Sequence, residues 1–152
     1  MADDLYDQDF YLWTQAQAAA LRARAGDNTL DYDHLAEEVE DLGKAERNRA
    51  ESHVRQIIAH LYKITATRDT DPIGHWRVEI LEHRIAIKRV LTGAIRRELE
   101  SNLEAITRDA LRIAKASMAA HEPDVEIDAA RSWTLAQILG EADDLITPWI
   151  DL

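Results

Sequence analysis

Apolar residues along this chain recur at spacings of three and four, and alternation of β-branched with polar residues is nearly absent. Spacings of three and four are typical of amphipathic helices that bury one face. The five glycines and three prolines leave long stretches uninterrupted. The sequence therefore predicts an all-α fold, an antiparallel bundle of about four main helices with a short C-terminal helix.

The first predicted helix runs from about Asp7 to Ala25. Asp7 is its expected N-cap, because an aspartate side chain can accept from the free amides of the first turn. Tyr6 and Tyr11 occupy the positions of a hydrophobic staple around that cap. Gly26 is expected to end the helix.

The second predicted helix starts near Asp31 and continues to about Thr67. Gly43 costs about 1 kcal/mol in a helix interior relative to alanine, but no other residue nearby indicates a turn. One long helix is therefore predicted through Gly43. Its apolar stripe is expected to begin with Leu35, Val39 and Leu42.

Local capping signals mark the beginnings of the remaining helices. Asp71 is a plausible cap followed by Pro72 at the first helical position, where the missing N–H is harmless. Thr92 is predicted to cap the fourth helix, which His121-Glu122-Pro123 ends. The predicted packing seam of that helix is Ile95, Leu99, Leu103, Ile106, Ala110, Ile113 and Ser117.

A short fifth helix is predicted from Thr134, which forms a capping box with Gln137, to Gly140. The residues after it are expected to pack as a strap over one end of the bundle. No repeat or low-complexity linker divides the chain, so residues 1–152 are predicted to form a single helical domain.

The net charge of −11 argues against nucleic acid as a partner, because binding phosphates needs a basic surface. The excess of bases lies in residues 51–100, with 9 bases against 7 acids. We interpret these bases as facing acidic neighbouring helices within the fold. The alternative is a basic strip that holds an acidic partner or phosphate, formed by Arg77, Arg84, Lys88, Arg89, Arg96 and Arg97.

The chain has no cysteine, which excludes disulfides and thiolate metal sites and fits a reducing compartment. Its acidic N-terminal segment does not resemble a signal peptide, and no apolar run approaches the length of a membrane span. We therefore expect a soluble cytoplasmic protein that has no membrane partner and no cofactor.

Metal sites in helical bundles often use Glu-x-x-His pairs, and this sequence has none. His75, Glu79 and His83 are spaced by four, so the outer two lie about 12 Å apart along a helix and cannot easily share one ion. We predict no metal site. If the protein is a metal-dependent or carboxylate/His hydrolase with a site between helices, the candidate catalytic residues are Glu38, His53, Glu79 and His83.

Glu38 flanks the expected apolar stripe of the second helix and is predicted to be partly buried. A partly buried acid more often pairs with arginine or histidine than acts in catalysis. The competing hypothesis is a non-catalytic module that binds a protein partner or a second copy. Its candidate interaction face is Glu37, Glu40, Asp41 and Lys44.

Four stretches in order carry a resemblance to a known family. They are LYDQDFYLWTQAQAAALR (5–22), DYDHLAEEVEDLGKAER (31–47) running into HLYKI (60–64), WRVEILEHRIAIKRVL (76–91) and WTLAQIL (133–139). Together they resemble the bacterial family known as domain of unknown function twenty-nine. The resemblance implies an all-helical fold and a bacterial, intracellular setting. It implies no activity and no catalytic residues, and the acidic tail after Leu139 is longer than the family pattern.

Overall fold

A computed structural model describes residues 2–24 and 30–142 of the chain. Within those ranges it contains helices and no strand, and none of the helices could cross a membrane. The helices are α1 (Ala2–Gln8), α2 (Phe10–Ala23), α3 (Tyr32–Ala66), α4 (Ile73–Lys88), α5 (Gly93–His121) and α6 (Leu135–Leu139). The predicted bundle of four main helices with a short C-terminal helix is confirmed.

The 35-residue α3 is the central element, and α2, α4 and α5 all pack against it. The helix starts where predicted, and the side chain of Asp31 caps it by accepting from the backbone amide of His34. In the second half of α3, Ile57, Ile58 and Tyr62 are fully buried against α4, α5 and α6. The main core therefore surrounds the C-terminal half of α3, whereas α2 covers the first half.

The helix continues through Gly43. A glycine fits at this position because α2 crosses α3 there at close range. A Cβ atom at position 43 would lie 2.0 Å from Thr14 Oγ1, well inside van der Waals contact. Thr14 itself is fully buried, and its hydroxyl donates to the carbonyl of Tyr11 at 2.7 Å. Gly43 thus serves the packing of two helices.

The predicted beginning of the first helix is wrong. Two helices meet at Asp9 instead, and the side chain of Asp9 caps α2 by accepting from the amide of Leu12 at 2.9 Å. Tyr6 packs edge-on against Phe10 and Trp13 rather than forming the expected staple with Tyr11. The helix ends at Ala23, and Gly26 lies outside the described residues.

The predicted stripe in the first half of α3 is also wrong. Leu35 and Leu42 are 40% and 55% exposed, whereas Ala36, Gly43 and Ala50 are buried. The three buried positions are seven residues apart and therefore lie along one face of the helix. Small side chains on that face allow α2 to approach closely, which the larger leucines would prevent.

Two smaller expectations fail at α4 and α5. Pro72 rather than Asp71 is the N-cap of α4, and no side chain caps that helix. Thr92 does cap α5, accepting from the amide of Ile95. Near its end, however, α5 buries Ala114 and Met118 and leaves Ile113 39% exposed, because the buried face follows the 3.6-residue period.

The capping box at the start of α6 is present, since Thr134 and Gln137 bond reciprocally. Gly140 ends the helix with φ of 72°, a conformation that favours glycine. Tyr62 of α3 packs edge-on against Trp133, the residue before the cap. The expected strap from residue 143 onward lies outside the described residues.

Candidate functional site

A polar interface joins α3 to α4 and contains most of the histidines of the chain. Its residues lie on one face of each helix, at spacings of three, four and seven. Positions that rise along α3 meet positions that fall along α4, so the two helices are antiparallel. The facing pairs are His53 with His83, His60 with Glu79, and Lys63 with Trp76.

The imidazoles of His53 and His83 contact each other directly, with 2.9 Å between their Nδ1 atoms. One ring must donate and the other accept, so the pair holds one shared proton in a hydrogen bond. Partial burial lowers the pKa of both side chains, and a charge on His83 would lower that of His53 further. Both rings are therefore neutral at pH 7.

His60 is the most enclosed member of the interface, with 6% of its surface exposed. Its Nε2 lies 3.1 Å from Oε2 of Glu79, a contact that favours the protonated imidazole. Burial outweighs that contact and, with the nearby Lys63 cation, lowers the pKa of His60 to about 4. Its buried Nδ1 has no hydrogen-bond partner among the described residues. The neutral ring with its proton on Nε2 is the form that fits.

Glu79 connects the buried part of the interface to its edge. Its Oε1 lies 3.4 Å from Nε2 of His75, a largely exposed side chain one turn earlier on α4. The carboxylate therefore lies between two histidines, His60 inside and His75 outside. Glu79 and His75 also mark where solvent reaches the interface.

Lys63 is buried next to these histidines, and its Nζ lies 4.7 Å from the ring centroid of Trp76, in a cation–π contact. Burial lowers the pKa of Lys63, and Glu79 acts in the opposite direction. Trp76 also lines a cavity of about 500 Å³ between the α3–α4 connection and the end of α5. None of the facing histidines lies in the wall of that cavity.

Three of the four candidate catalytic residues lie close together in this interface, namely His53, Glu79 and His83. Glu38 does not, because it is exposed on the first half of α3 and is not partly buried as predicted. His60 was not nominated, although it lies two turns from His53 on the same face. Within residues 2–24 and 30–142, no three histidine, aspartate or glutamate side chains are grouped to hold a metal ion.

The predicted interaction face on α3 is partly used inside the fold. Glu40 accepts a hydrogen bond from Arg22 of α2 at 3.0 Å, and Lys44 lies 3.3 Å from both Glu40 and Asp41. Glu37 and Asp41 are exposed. This face therefore helps to hold α2 against α3.

The basic strip is also divided among different roles. Arg84 is buried and donates to the carbonyls of Ile138 and Gln137, at the end of α6. Arg96 forms an ion pair with Glu141. Lys88 and Arg89 remain exposed at the C-terminal end of α4.

The side of α4 that faces away from α3 is apolar and exposed. We call it the outer face of α4, and it consists of Gly74, Val78, Leu81, Ile85 and Lys88. Its three large apolar side chains, Val78, Leu81 and Ile85, are 54%, 39% and 48% exposed. The alternating spacing of four and three places these positions on one stripe, as in the seam of a coiled coil.

Comparisons with known proteins agree with the fold. The family described as "Domain of unknown function DUF29" matches residues 5–142. An α-helical protein of unknown function from Rhodospirillum rubrum, known from a crystal structure, is similar with a TM-score of 0.77 and 27% identity. That similarity covers 96% of this chain and 95% of the other. A search of curated proteins finds no match.

Proposed function

The chain belongs to the DUF29 family, and we propose that it is a non-catalytic module that binds a helix of a partner protein. The partner helix lies along the outer face of α4, with its own apolar stripe against Val78, Leu81 and Ile85. We place this binding in the bacterial cytoplasm, in keeping with the absence of cysteine.

The observation that carries the proposal is the apolar stripe on a helix that has a single extensive neighbour. Among the described elements α4 packs mainly on α3, so its opposite side has no extensive neighbour in the fold. A row of large apolar side chains left in water is unusual for an isolated protein and typical of helix-binding surfaces. Covering each of them would contribute roughly 1 kcal/mol to binding.

Charge indicates the chemistry of the partner. Lys88 and Arg89 are exposed at the C-terminal end of the stripe. The exposed Glu82, beside the stripe, offsets part of their positive charge. This basic end stands out on a chain whose net charge is −11. The matching ligand is an amphipathic helix with aspartate or glutamate beside its apolar stripe, which the basic end would attract and orient.

The polar interface beneath α4 supports this function by fixing how the helix is rotated. The His53–His83 and His60–Glu79 contacts require particular side chains to face α3. Polar contacts are directional, so they specify one rotation where a purely apolar interface would allow slippage. In that rotation Leu81 points away from α3.

The same contacts make hydrolysis a weaker proposal. The direct contact between His53 and His83 leaves no space between their Nδ1 atoms for a water molecule. His60 is enclosed, and the 500 Å³ cavity is lined by other residues. A general base needs to reach a substrate proton, and these imidazoles face each other instead.

The test is photocrosslinking in the native host with a benzophenone amino acid at Leu81. The matched control carries the probe at Ile113 of α5, which is equally exposed at 39%. We expect a discrete adduct from position 81 and none from position 113. Mass spectrometry should place the crosslink in a partner helix with apolar residues at spacings of three and four and acidic residues beside them.

A charge variant of the position-81 probe completes the test. Lys88→Glu with Arg89→Glu should reduce the adduct several-fold, because both substitutions repel an acidic helix. No adduct at position 81, equal adducts at both positions, or an adduct between two copies of this chain would each overturn the proposal.

A further inference from the structure

The end of α6 is fixed beside the outer face of α4. Arg84 of α4 donates through its Nε to the carbonyl of Ile138 at 2.9 Å. Gly140 lies against the same guanidinium, where a Cβ atom would come within 2.8 Å of its Nη1. On α4, Leu81 is three residues before Arg84 and Lys88 is four after it, so both are neighbours of Arg84 on the helix surface. The chain therefore leaves α6 next to the outer face of α4.

The residues that follow in the sequence are suited to that face. Segment 143–152, which lies outside the described residues, reads DDLITPWIDL. It contains five large apolar residues and three aspartates, and it has no lysine or arginine. The outer face of α4 is an exposed apolar stripe with Lys88 and Arg89 at its basic end. The segment and the face are therefore complementary in apolar character and in charge.

The order of residues along the segment also matches the stripe. Glu141 forms an ion pair with Arg96, in the first turn of α5. Because α5 begins soon after α4 ends, this contact lies near the basic end of the outer face. Asp143 and Asp144 come next in the sequence and are the first residues of the segment to reach Lys88. The apolar residues come after them.

The segment is long enough to cover the whole stripe. Val78, at the far end, lies about 9 Å from Arg84 along the axis of α4, at 1.5 Å per residue. Ten residues span up to about 33 Å when fully extended. The apolar residues that follow the two aspartates can therefore reach Ile85, Leu81 and Val78.

We infer that segment 143–152 lies on the outer face of α4 in the free protein, and that a partner helix must displace it. Asp143 and Asp144 lie at the basic end of the face, and Ile146 packs near Leu81. The segment lowers the apparent affinity for the partner, because only the uncovered face can bind. The displacement rests on the proposed function, whereas the contact within the chain does not.

Disulfide formation in the purified full chain tests this contact without any partner. The double variant Leu81→Cys with Ile146→Cys should form an intrachain disulfide in a glutathione buffer, because the two positions lie close together. The matched control is Ile113→Cys with Ile146→Cys, since Ile113 of α5 is also 39% exposed. We expect the first pair to close at least about tenfold faster than the control pair.

Charge reversal tests the orientation of the segment. In the first cysteine pair, Asp143→Lys with Asp144→Lys should slow disulfide closure several-fold. Adding Lys88→Glu with Arg89→Glu should restore the original rate, because the attraction is re-formed with the signs exchanged.

Release of the segment tests the displacement. In the full chain that carries the photocrosslinker at position 81, Ile146→Asp with Trp149→Asp should increase the partner adduct several-fold. Equal closure rates for the two cysteine pairs, no restoration by charge exchange, or an adduct that is present but does not increase would overturn the inference. No adduct with or without these substitutions would overturn the proposed function instead, whereas faster closure of the first pair would still confirm the contact within the chain.

Discussion

The side chain of Asp9 accepts a hydrogen bond from the backbone amide of Ala94, 85 positions further along the chain, at 3.0 Å. Its other carboxylate oxygen accepts from the amide of Leu12 at 2.9 Å. A single side chain therefore caps the N-termini of both α2 and α5. Both helix dipoles place partial positive charge there, which further favours a carboxylate.

This double cap predicts that Asp9→Ala is more destabilising than loss of an ordinary cap. The expected decrease in the free energy of unfolding is about 2 kcal/mol, measured by urea denaturation. Asp31→Ala is the control, because Asp31 caps only α3. Equal losses for the two variants would contradict a double role for Asp9.

Replacing glycine by alanine is predicted to have opposite effects at two positions, Gly74 of α4 and Gly43 at the close crossing of α2 and α3. Gly74→Ala should stabilise the protein by up to about 1 kcal/mol, because a Cβ there meets nothing within 4 Å. Gly43→Ala should destabilise it by about 2 kcal/mol, since the methyl group would collide with Thr14. Thermal unfolding of both variants checks this, and a more stable Gly43→Ala protein would refute the crossing.

The burial of His60 predicts that stability falls in mild acid. Its pKa is about 4 in the folded chain and 6.5 when exposed, so the unfolded state binds the extra proton between these values. Neutral His60 therefore contributes about 3 kcal/mol to the free energy of unfolding above pH 6.5, and this contribution is lost as the pH falls toward 4. Partial burial gives His53 and His83 lowered pKa values as well, which acts in the same direction.

Denaturant titrations at pH 7, 5.5 and 4.5 measure this decline. His60→Gln should flatten it, because glutamine takes up no proton in that range. The control is His34→Gln. Asp31 raises the pKa of the exposed His34, so protonation of His34 favours the folded state in acid, and removing this histidine cannot flatten the decline in stability. A His60→Gln protein with the same acid dependence as the unchanged chain would show that His60 is not the buried titrating group.

The sequence predicts those features that depend on local chemistry. Thr92 and Thr134 cap the helices for which they were predicted, because a cap needs only a side-chain oxygen and the next few amides. Asp7 and Asp9 are both suitable caps, and the choice between them depends on the amide of Ala94 in a distant helix. No local pattern contains that information.

Periodicity also identifies apolar positions without saying which of them meet a neighbour. Leu35 and Leu42 form a proper helical stripe, yet the packing of α2 uses the small residues Ala36 and Gly43 beside it. The sequence signal for this packing face was the recurrence of small residues every seven positions, at Ala36, Gly43 and Ala50. The candidate site could be predicted only by knowing that α3 pairs with α4, because His53 and His83 are 30 positions apart and each has an ordinary sequence context.

The proposed function depends most on the rotation of α4, with its polar side against α3 and its apolar stripe outward. Because the chain has no cysteine, single-cysteine variants report on individual positions. The measurement is the rate of maleimide labelling of Leu81→Cys and of its neighbour Ile80→Cys, which are 39% and 0% exposed in the unchanged chain. We predict that position 81 reacts faster by on the order of 100-fold. Equal rates, or faster reaction at position 80, would contradict this rotation of α4.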